Sequence, residues 1–173
     1  MTEPILAAGV PTKADFLKCE QLVDPSAINN LRPALSWQMV STEQGKTQKA
    51  YRVLVASSLN ELKRNKGDFW DSGKVVSSNC TMVQYAGSPL KSRTQAFWKV
   101  MIWDEKDKPS AWTRPASWAM GLLQPNDWSA KWIGASIDSD PNSTATFPAP
   151  YFRKEFGNSK KITKATAHIS GLG

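Results

Sequence analysis

Histidine is almost missing from this 173-residue sequence: His168 is the only one. A serine–histidine–acid set would have to be built on that single side chain, and no Gly-x-Ser-x-Gly turn offers it a nucleophile. Cysteine is scarce too. Cys19 and Cys80 lack the Cys-x-x-Cys spacing of a metal knuckle, and the pair is read as two buried, reduced thiols. No apolar run approaches the ~20 residues of a membrane-spanning helix. The opening, MTEPILAAGVPTK, has no basic start followed by an apolar core, so no signal peptide is read there. The compartment stays open, since a secreted parent would have lost its signal. No internal repeat is present. No membrane partner and no cofactor are expected.

Tryptophan is what the sequence has in excess, with eight residues. Large rings bury much area each and occur both in β cores and at binding surfaces, so their number alone does not choose between those roles. Hydrophobic residues at 40% and charged residues at 21% are ordinary globular usage, which excludes disorder throughout. The net charge of +7 is unevenly placed. Five cations, Arg153, Lys154, Lys160, Lys161 and Lys164, stand against Glu155 alone in residues 151–173. A nucleic-acid footprint is a basic patch with interleaved aromatics on a finished fold, and this C-terminal excess is not one. No nucleic-acid partner is expected.

Between Asp15 and Gly121 short alternating runs are separated by turn residues, the pattern of a β-sandwich. Strands are predicted at Phe16–Leu22, at Leu35–Met39 with Leu35, Trp37 and Met39 on one face, and at Gln48–Ala56 with Tyr51, Val53 and Val55 opposite Arg52. Ser58 and Glu61 form the capping-box pair that opens a short helix. Trp70 and Val75-Val76 flank an Asp-Ser-Gly turn, and Met82–Tyr85 reads as another strand. The longest strand, Thr94–Asp104, sets Ala96, Trp98, Val100 and Ile102 on one face and Lys99 on the other. Ser117–Gly121 returns the chain. About seven strands in about 100 residues is the immunoglobulin-like size class. Beyond it, residues 138–150 read as a Ser/Thr/Asp/Pro linker, and Tyr151–Phe156 and Ile162–Ile169 as two more strands.

Ser88-Pro89-Leu90-Lys91 fits Ser-x-x-Lys, but its companion motifs are missing. Asp104, Glu105 and Asp107 sit on a hairpin turn, where solvated acids are the default and nothing apolar raises a pKa. Asp138, Asp140 and Asn142 open like a calcium loop, which fails at Ser143 and Ala149, where Gly and Glu are required. No catalytic, cofactor-binding or metal residue emerges. Trp37 and Trp98 share faces with aliphatic residues and belong to the core. Trp103, Trp112 and Trp118 lie near a hairpin and remain the candidate sugar contacts.

Several segments, in this order, resemble the front end of large multidomain bacterial α-L-rhamnosidases. They are Gln48 with Ala50–Ser57, Trp70–Val75, Val83–Gly87 with Leu90, and Phe97–Val100 running to Trp103-Asp104. Gly121–Leu123, Asp127-Trp128 and Lys131–Gly134 follow, then Tyr151–Phe156 and Ile169–Gly173. The resemblance covers about residues 16–173. One departure is Asp107, where the family tends to have Gly.

The resemblance implies an all-β chain, an immunoglobulin or fibronectin type III-like antiparallel sandwich followed by the first strands of a jelly-roll-like module. Residues 1–14 would be an extension, 15–121 the sandwich, 122–150 a connector and linker, and 151–173 the start of a second module that is cut at Gly173. It implies a non-catalytic accessory module of a glycoside hydrolase that cleaves terminal α-L-rhamnosyl linkages with inversion, its acidic residues lying elsewhere in the parent. Partners would be the parent's other modules, with a rhamnose-containing oligosaccharide bound by the parent. Two alternatives compete: a carbohydrate-binding module using exposed tryptophans, and an adhesion domain of an unrelated protein.

Overall fold

The computed structural model describes residues 11–134, 150–163 and 165–171. The chain divides into two units, Met1–Ser129 and Ala130–Gly173. Among the described residues of the first unit, eight strands and one α-helix run in the order β1 (Lys13–Cys19), β2 (Ala34–Val40), β3 (Gln48–Ala56), α1 (Leu59–Lys63), β4 (Trp70–Asp71), β5 (Val75–Val76), β6 (Val83–Gln84), β7 (Gln95–Asp104) and β8 (Ala116–Ala119). A single 3-10 turn follows at Pro125–Asp127. One sheet has the order β1-β2-β6. The other runs β4-β3-β7-β8, with β5 also pairing β3. Pairing within both sheets is antiparallel.

Alternation fixes which side chains meet between the sheets. Along β7, Ala96, Trp98, Val100 and Ile102 are fully buried, and along β3 so are Val53 and Val55. They face Ala14, Cys19, Leu35, Trp37 and Val83 of the smaller sheet in one core cluster. Trp37 meets Tyr51 edge-on at 5.1 Å between ring centroids. Tyr85 meets Trp70 at 5.6 Å and Trp118 at 5.7 Å, again edge-on. These T-shaped contacts match the ring quadrupoles, each adding about 0.5–1.5 kcal/mol beyond area burial. Burial pushes the Tyr85 phenol up to about 12, and its hydroxyl donates to the Ser88 carbonyl at 2.7 Å.

The opposite face of the larger sheet carries a second, smaller cluster. Register sets Ala50 beside Trp103, Arg52 beside Met101, Leu54 beside Lys99 and Ala56 beside Phe97. Helix α1 covers part of this face through Leu62, packed with Leu54 and Ala56. The Ser58 side chain accepts from the Glu61 backbone N–H at 3.3 Å, one half of the expected capping box, while the Glu61 carboxylate pairs instead with Arg64 at 3.5 Å and Lys66 at 3.4 Å. Arg52 forks onto Asp71 with bonds of 2.9 and 2.6 Å.

Several expectations shift. The first strand begins at Lys13 rather than Phe16, so the sandwich reaches into the predicted extension. It ends at Cys19, because Glu20 and Gln21 turn the chain at φ 50° and 63°. Lys99, expected to project into solvent, is 6% exposed. Its Nζ donates to the Leu62 carbonyl at 2.6 Å and to Asn65 Oδ1 at 2.5 Å, tying β7 to the end of α1. Cys19 is buried and Cys80 only half-buried, and both are free thiols. Burial raises the Cys19 pKa to about 12, which keeps it an unreactive thiol.

In the second unit the described residues form no strand. Alternation at Tyr151–Phe156 and Ile162–Ile169 therefore did not translate into strands among them. Tyr151, Phe156 and Ile169 are 100%, 84% and 87% exposed. Alternation gives a segment two faces, but a strand also needs a neighbour that satisfies its backbone donors and acceptors. The 138–142 calcium-like motif lies outside the described residues.

Candidate functional site

The three candidate tryptophans do not share one environment. Trp118, on β8, is fully buried against Tyr85, so it belongs to the core and offers no surface to a sugar. Its neighbours along the chain alternate outward, and sequence proximity to the hairpin concealed that. Trp103 and Trp112 are half-buried on the outer side of the larger sheet. Each carries a lysine over its ring: Lys74 Nζ lies 4.8 Å from the Trp103 centroid, and Lys99 Nζ 4.7 Å from that of Trp112. Such cation–π pairing holds the ring in place and occupies one of its faces.

The hairpin acids are not simply solvated. Asp104 is 6% exposed, and its Oδ1 accepts from the backbone N–H groups of Lys106 and Lys108 at 3.0 and 2.8 Å, closing the turn. Asp107 stands at φ 64°, the left-handed backbone for which glycine is suited. It pairs with Lys74 at 2.7 Å and Lys49 at 3.8 Å. Glu105 pairs with Lys46 at 2.9 Å. Lys74 and Lys46 respectively hold the Asp107 and Glu105 carboxyls below their ordinary values. A general acid needs the opposite shift. Ser88 is exposed and spends its carbonyl on Tyr85, while His168 lies in the second unit. Among the described residues no cluster of His, Cys, Asp or Glu has metal-holding geometry.

Two arrangements escaped sequence reading. The first fixes the chain where it leaves the sandwich. The Asp127 carboxylate accepts from the Ser92 hydroxyl and from the Gln124 N–H at 2.8 Å. Ser92 Oγ in turn accepts from Leu123 N at 3.0 Å, and Arg93 donates to the Asp127 carbonyl at 2.8 Å. The Ser92 bond comes first in lowering the Asp127 pKa. Gln124-Pro125-x-Asp127 does carry a helix-start signal, with Pro at the first position and a carboxylate three residues on. The partner at Ser92 is invisible at that range.

The second is a cleft of about 310 Å³ lined by Lys13, Ala14, Asp15, Ala111, Trp112, Thr113 and Arg114. It lies where β1 approaches the 109–114 segment, which hydrogen-bonds along β7 through Ser110 N to the Ile102 carbonyl and Thr113 N to the Val100 carbonyl. A β-bulge displaces β1 between Asp15 and Lys18, with Phe16 at φ 53°. Asp15 pairs with Lys13 at 2.9 Å and accepts from Phe16 N at 3.0 Å. Those contacts, Lys13 first, lower its pKa, and Arg114 adds a smaller pull.

Comparison with known proteins places this architecture. The chain is 37% identical over 167 residues to an α-L-rhamnosidase of Formosa agariphila, covering 87% of this chain and 18% of that protein. It is 38% identical over 168 residues to one of Streptomyces avermitilis, covering 87% and 16%. The crystal structure of the Streptomyces avermitilis α-L-rhamnosidase complexed with L-rhamnose superposes with a TM-score of 0.68 at 44% identity, over 72% of this chain and 12% of that one. The α-L-rhamnosidase from Dictyoglumus thermophilum does so with the same score at 38% identity, over 70% and 14%. The chain thus spans less than a fifth of the length of the curated relatives it matches. A family model described as the Rha78A-like N-terminal immunoglobulin domain matches residues 14–124, and this two-sheet sandwich with its pinned exit belongs to that family.

Proposed function

We propose that this chain is a non-catalytic accessory module of a larger glycoside hydrolase, holding the adjoining module in a fixed position. The parent hydrolyses terminal α-L-rhamnosyl linkages, with inversion. The observation that carries the reading is the match to proteins named α-L-rhamnosidase over only 16–18% of their length. The electrostatics agree with it. Asp71, Glu105, Asp107 and Asp127 all have pKa values shifted down by donors or cations beside them. An inverting mechanism needs one carboxyl shifted up as acid and a second as base. The Asp127–Ser92 lock supports the positioning role, since it fixes the backbone where the sandwich ends.

Residues 151–173 are the start of the second module in this proposal, with 122–150 as connector and linker. The relatives match 87% of the chain, a stretch longer than the family domain at 14–124. The partner is then the rest of the parent.

The test is release of nitrophenol from an aryl α-L-rhamnoside by the purified chain, beside the full-length Streptomyces avermitilis relative with and without the equivalent domain. The chain alone is expected to be inactive, and deletion to lower the relative's melting temperature. Turnover by the chain that survives repurification and is lost on His168→Ala overturns the non-catalytic reading. A deletion that leaves melting temperature and activity unchanged overturns the positioning role.

A further inference from the structure

We infer that the surface around the Glu20-Gln21 turn is where the sandwich docks against the module that follows it in the parent polypeptide. The inference rests on the chain being an accessory module of a larger protein, and it names the face through which that positioning works.

The chemistry of this surface is the reverse of an ordinary turn. Glu20 and Gln21 close a two-residue turn at φ 50° and 63°, with Cys19 and Leu22 exchanging both backbone hydrogen bonds at 2.9 Å. Positive φ at both positions favours Asn-Gly or Asp-Gly, so a Glu-Gln pair stays there only because its surroundings hold it. The polar groups are turned onto the protein. Glu20 Oε1 accepts from the Ala34 N–H at 2.7 Å and from Asn30 Nδ2 at 3.0 Å, and Asn30 Oδ1 accepts from the Arg32 N–H at 3.0 Å. Gln21 Nε2 donates to Met82 Sδ at 3.1 Å, and the Met82 N–H donates to Ser36 Oγ at 3.0 Å. These bonds set Leu31 and Met82 beside the turn that Leu22 closes. What remains outside is apolar: Leu22, Val23, Leu31 and Met82 are each more than half exposed. Met82 also stands at φ 54°, a backbone that bulky side chains avoid. Strained backbone that holds four neighbouring apolar side chains in water gains nothing for a free sandwich, and it marks an interaction surface.

Position selects the partner. The loop that follows this turn reaches the end of the sandwich where the chain leaves. Ile28 bridges Met120, and its carbonyl accepts from the Gly121 N–H at 2.9 Å. Asn29 Oδ1 lies so close to Gly121 that a Cβ there would run into it. The Gly121 carbonyl accepts from the Arg93 N–H at 3.1 Å, and Arg93 in turn holds Asp127 in the exit lock. A module joined after Asp127 therefore starts at the end where Asn29 and Leu31 lie. The matched family domain is N-terminal, and the chain spans only 16–18% of its α-L-rhamnosidase relatives, so in proteins of that length most of the polypeptide follows this end. Size argues against a second copy as occupant. Four apolar side chains fall far short of the roughly 20–30 residues a side of a stable interface between free molecules. A tethered partner is present at millimolar effective concentration, where a contact of this size holds.

The experiment is amide hydrogen exchange read by mass spectrometry, on the chain alone and on the full-length parent. In the parent, peptides from residues 20–33 and 78–84 should exchange about tenfold more slowly than in the chain alone, the factor that burial of one such side chain supplies. Leu31→Asp and Met82→Asp replace exposed side chains, and Asp tolerates the left-handed backbone at position 82. Both should leave the melting temperature of the chain alone unchanged. In the parent each should return both segments to the exchange rate of the chain alone. Val76→Asp, at an exposed apolar position of the other sheet, should leave the protection in place. The inference is overturned by protection at a different face of the sandwich, an outcome that leaves the positioning role standing. Protection on no face overturns that role as well. Protection of the two segments that survives both variants also overturns the inference. So does a concentration-dependent dimer of the chain alone that is lost on Leu31→Asp, which assigns the surface to a second copy.

Discussion

The indole N–H of Trp37 donates to the side-chain oxygen of Gln48 across 2.9 Å of buried interior. Gln48 then passes both amide protons on, to the Ser77 carbonyl at 3.1 Å and the Asn79 carbonyl at 2.9 Å. One buried amide thus joins β2 of the smaller sheet, β3 of the larger sheet and the loop leading to β6. Every polar atom in that chain is satisfied, which is the condition under which a buried network stabilises. Gln48→Leu would leave an indole N–H without its partner and two carbonyls without this donor. It should lower the urea midpoint by an amount equivalent to about 1–3 kcal/mol, with an unchanged m-value.

Trp98 stands at the centre of the core, fully buried beside Ala96, Val100 and Ile102 of its own strand. Trp98→Ala should cost about 3–5 kcal/mol. Lys91, exposed and a member of neither cluster, is the appropriate reference. Lys99 is not, because it is buried and bonded. A Trp98→Ala melting shift no larger than that of Lys91→Ala would show that the core has been misplaced.

Lys99 itself carries a pH signature. Burial lowers its pKa below the ordinary lysine value, so between the folded and unfolded values the unfolded chain binds the extra proton. Stability contributed through this group therefore rises with pH on the way up to about 10.4. Lys99→Met removes that slope. The stability gap between the parent chain and Lys99→Met, from urea melts at pH 7 and pH 10, should widen at the higher pH in favour of the parent chain. A gap that narrows would contradict the assignment.

Gly87 tests close packing directly. A Cβ there would lie 2.3 Å from the Phe69 carbonyl oxygen, 2.5 Å from Trp70 Cβ and 2.6 Å from the Tyr85 hydroxyl. Backbone cannot yield cheaply, so Gly87→Ala should destabilise by about 1–3 kcal/mol. Gly134→Ala meets nothing within 4 Å and should be neutral. Thermal melts of the two variants give the comparison.

The exit lock predicts a change in proteolysis. Asp127→Ala removes the acceptor for Ser92 and Gln124, and cleavage within residues 122–134 should become faster, as read by limited digestion and mass spectrometry. The Asp127 pKa is lowered, so its contribution is present above the ordinary carboxylate range and lost as pH falls through the folded value. An acid-stable protease should therefore cleave this segment of the parent chain faster at low pH, and the Asp127→Ala variant should not gain further. Equal rates for the two chains at neutral pH would exclude the lock.

The sequence by itself determined the long central strands of the sandwich and their inward faces. Gln48–Ala56 and Gln95–Asp104 are long enough for period-two alternation to identify Val53, Val55, Trp98 and Val100 as core. The helix start at Ser58 was legible because it is local, set by residues within one turn, and the glycine-like backbone at Asp107 through the family resemblance, which places Gly there. Family membership was legible because it rests on the order of segments along the chain. Tertiary structure alone decided which tryptophans are available. Trp118 pairs with β7 and points into the core, while Trp112 is held outside under Lys99, and no local pattern separates them. It alone also brought Asp15 beside Arg114 and Ser92 beside Asp127. Such pairs are fixed by strand register and by a bulge, long-range consequences of closing two sheets over one core. Alternation at 151–169 marks the limit from the other side: a pattern of faces becomes a strand only where a neighbouring backbone completes its hydrogen bonds.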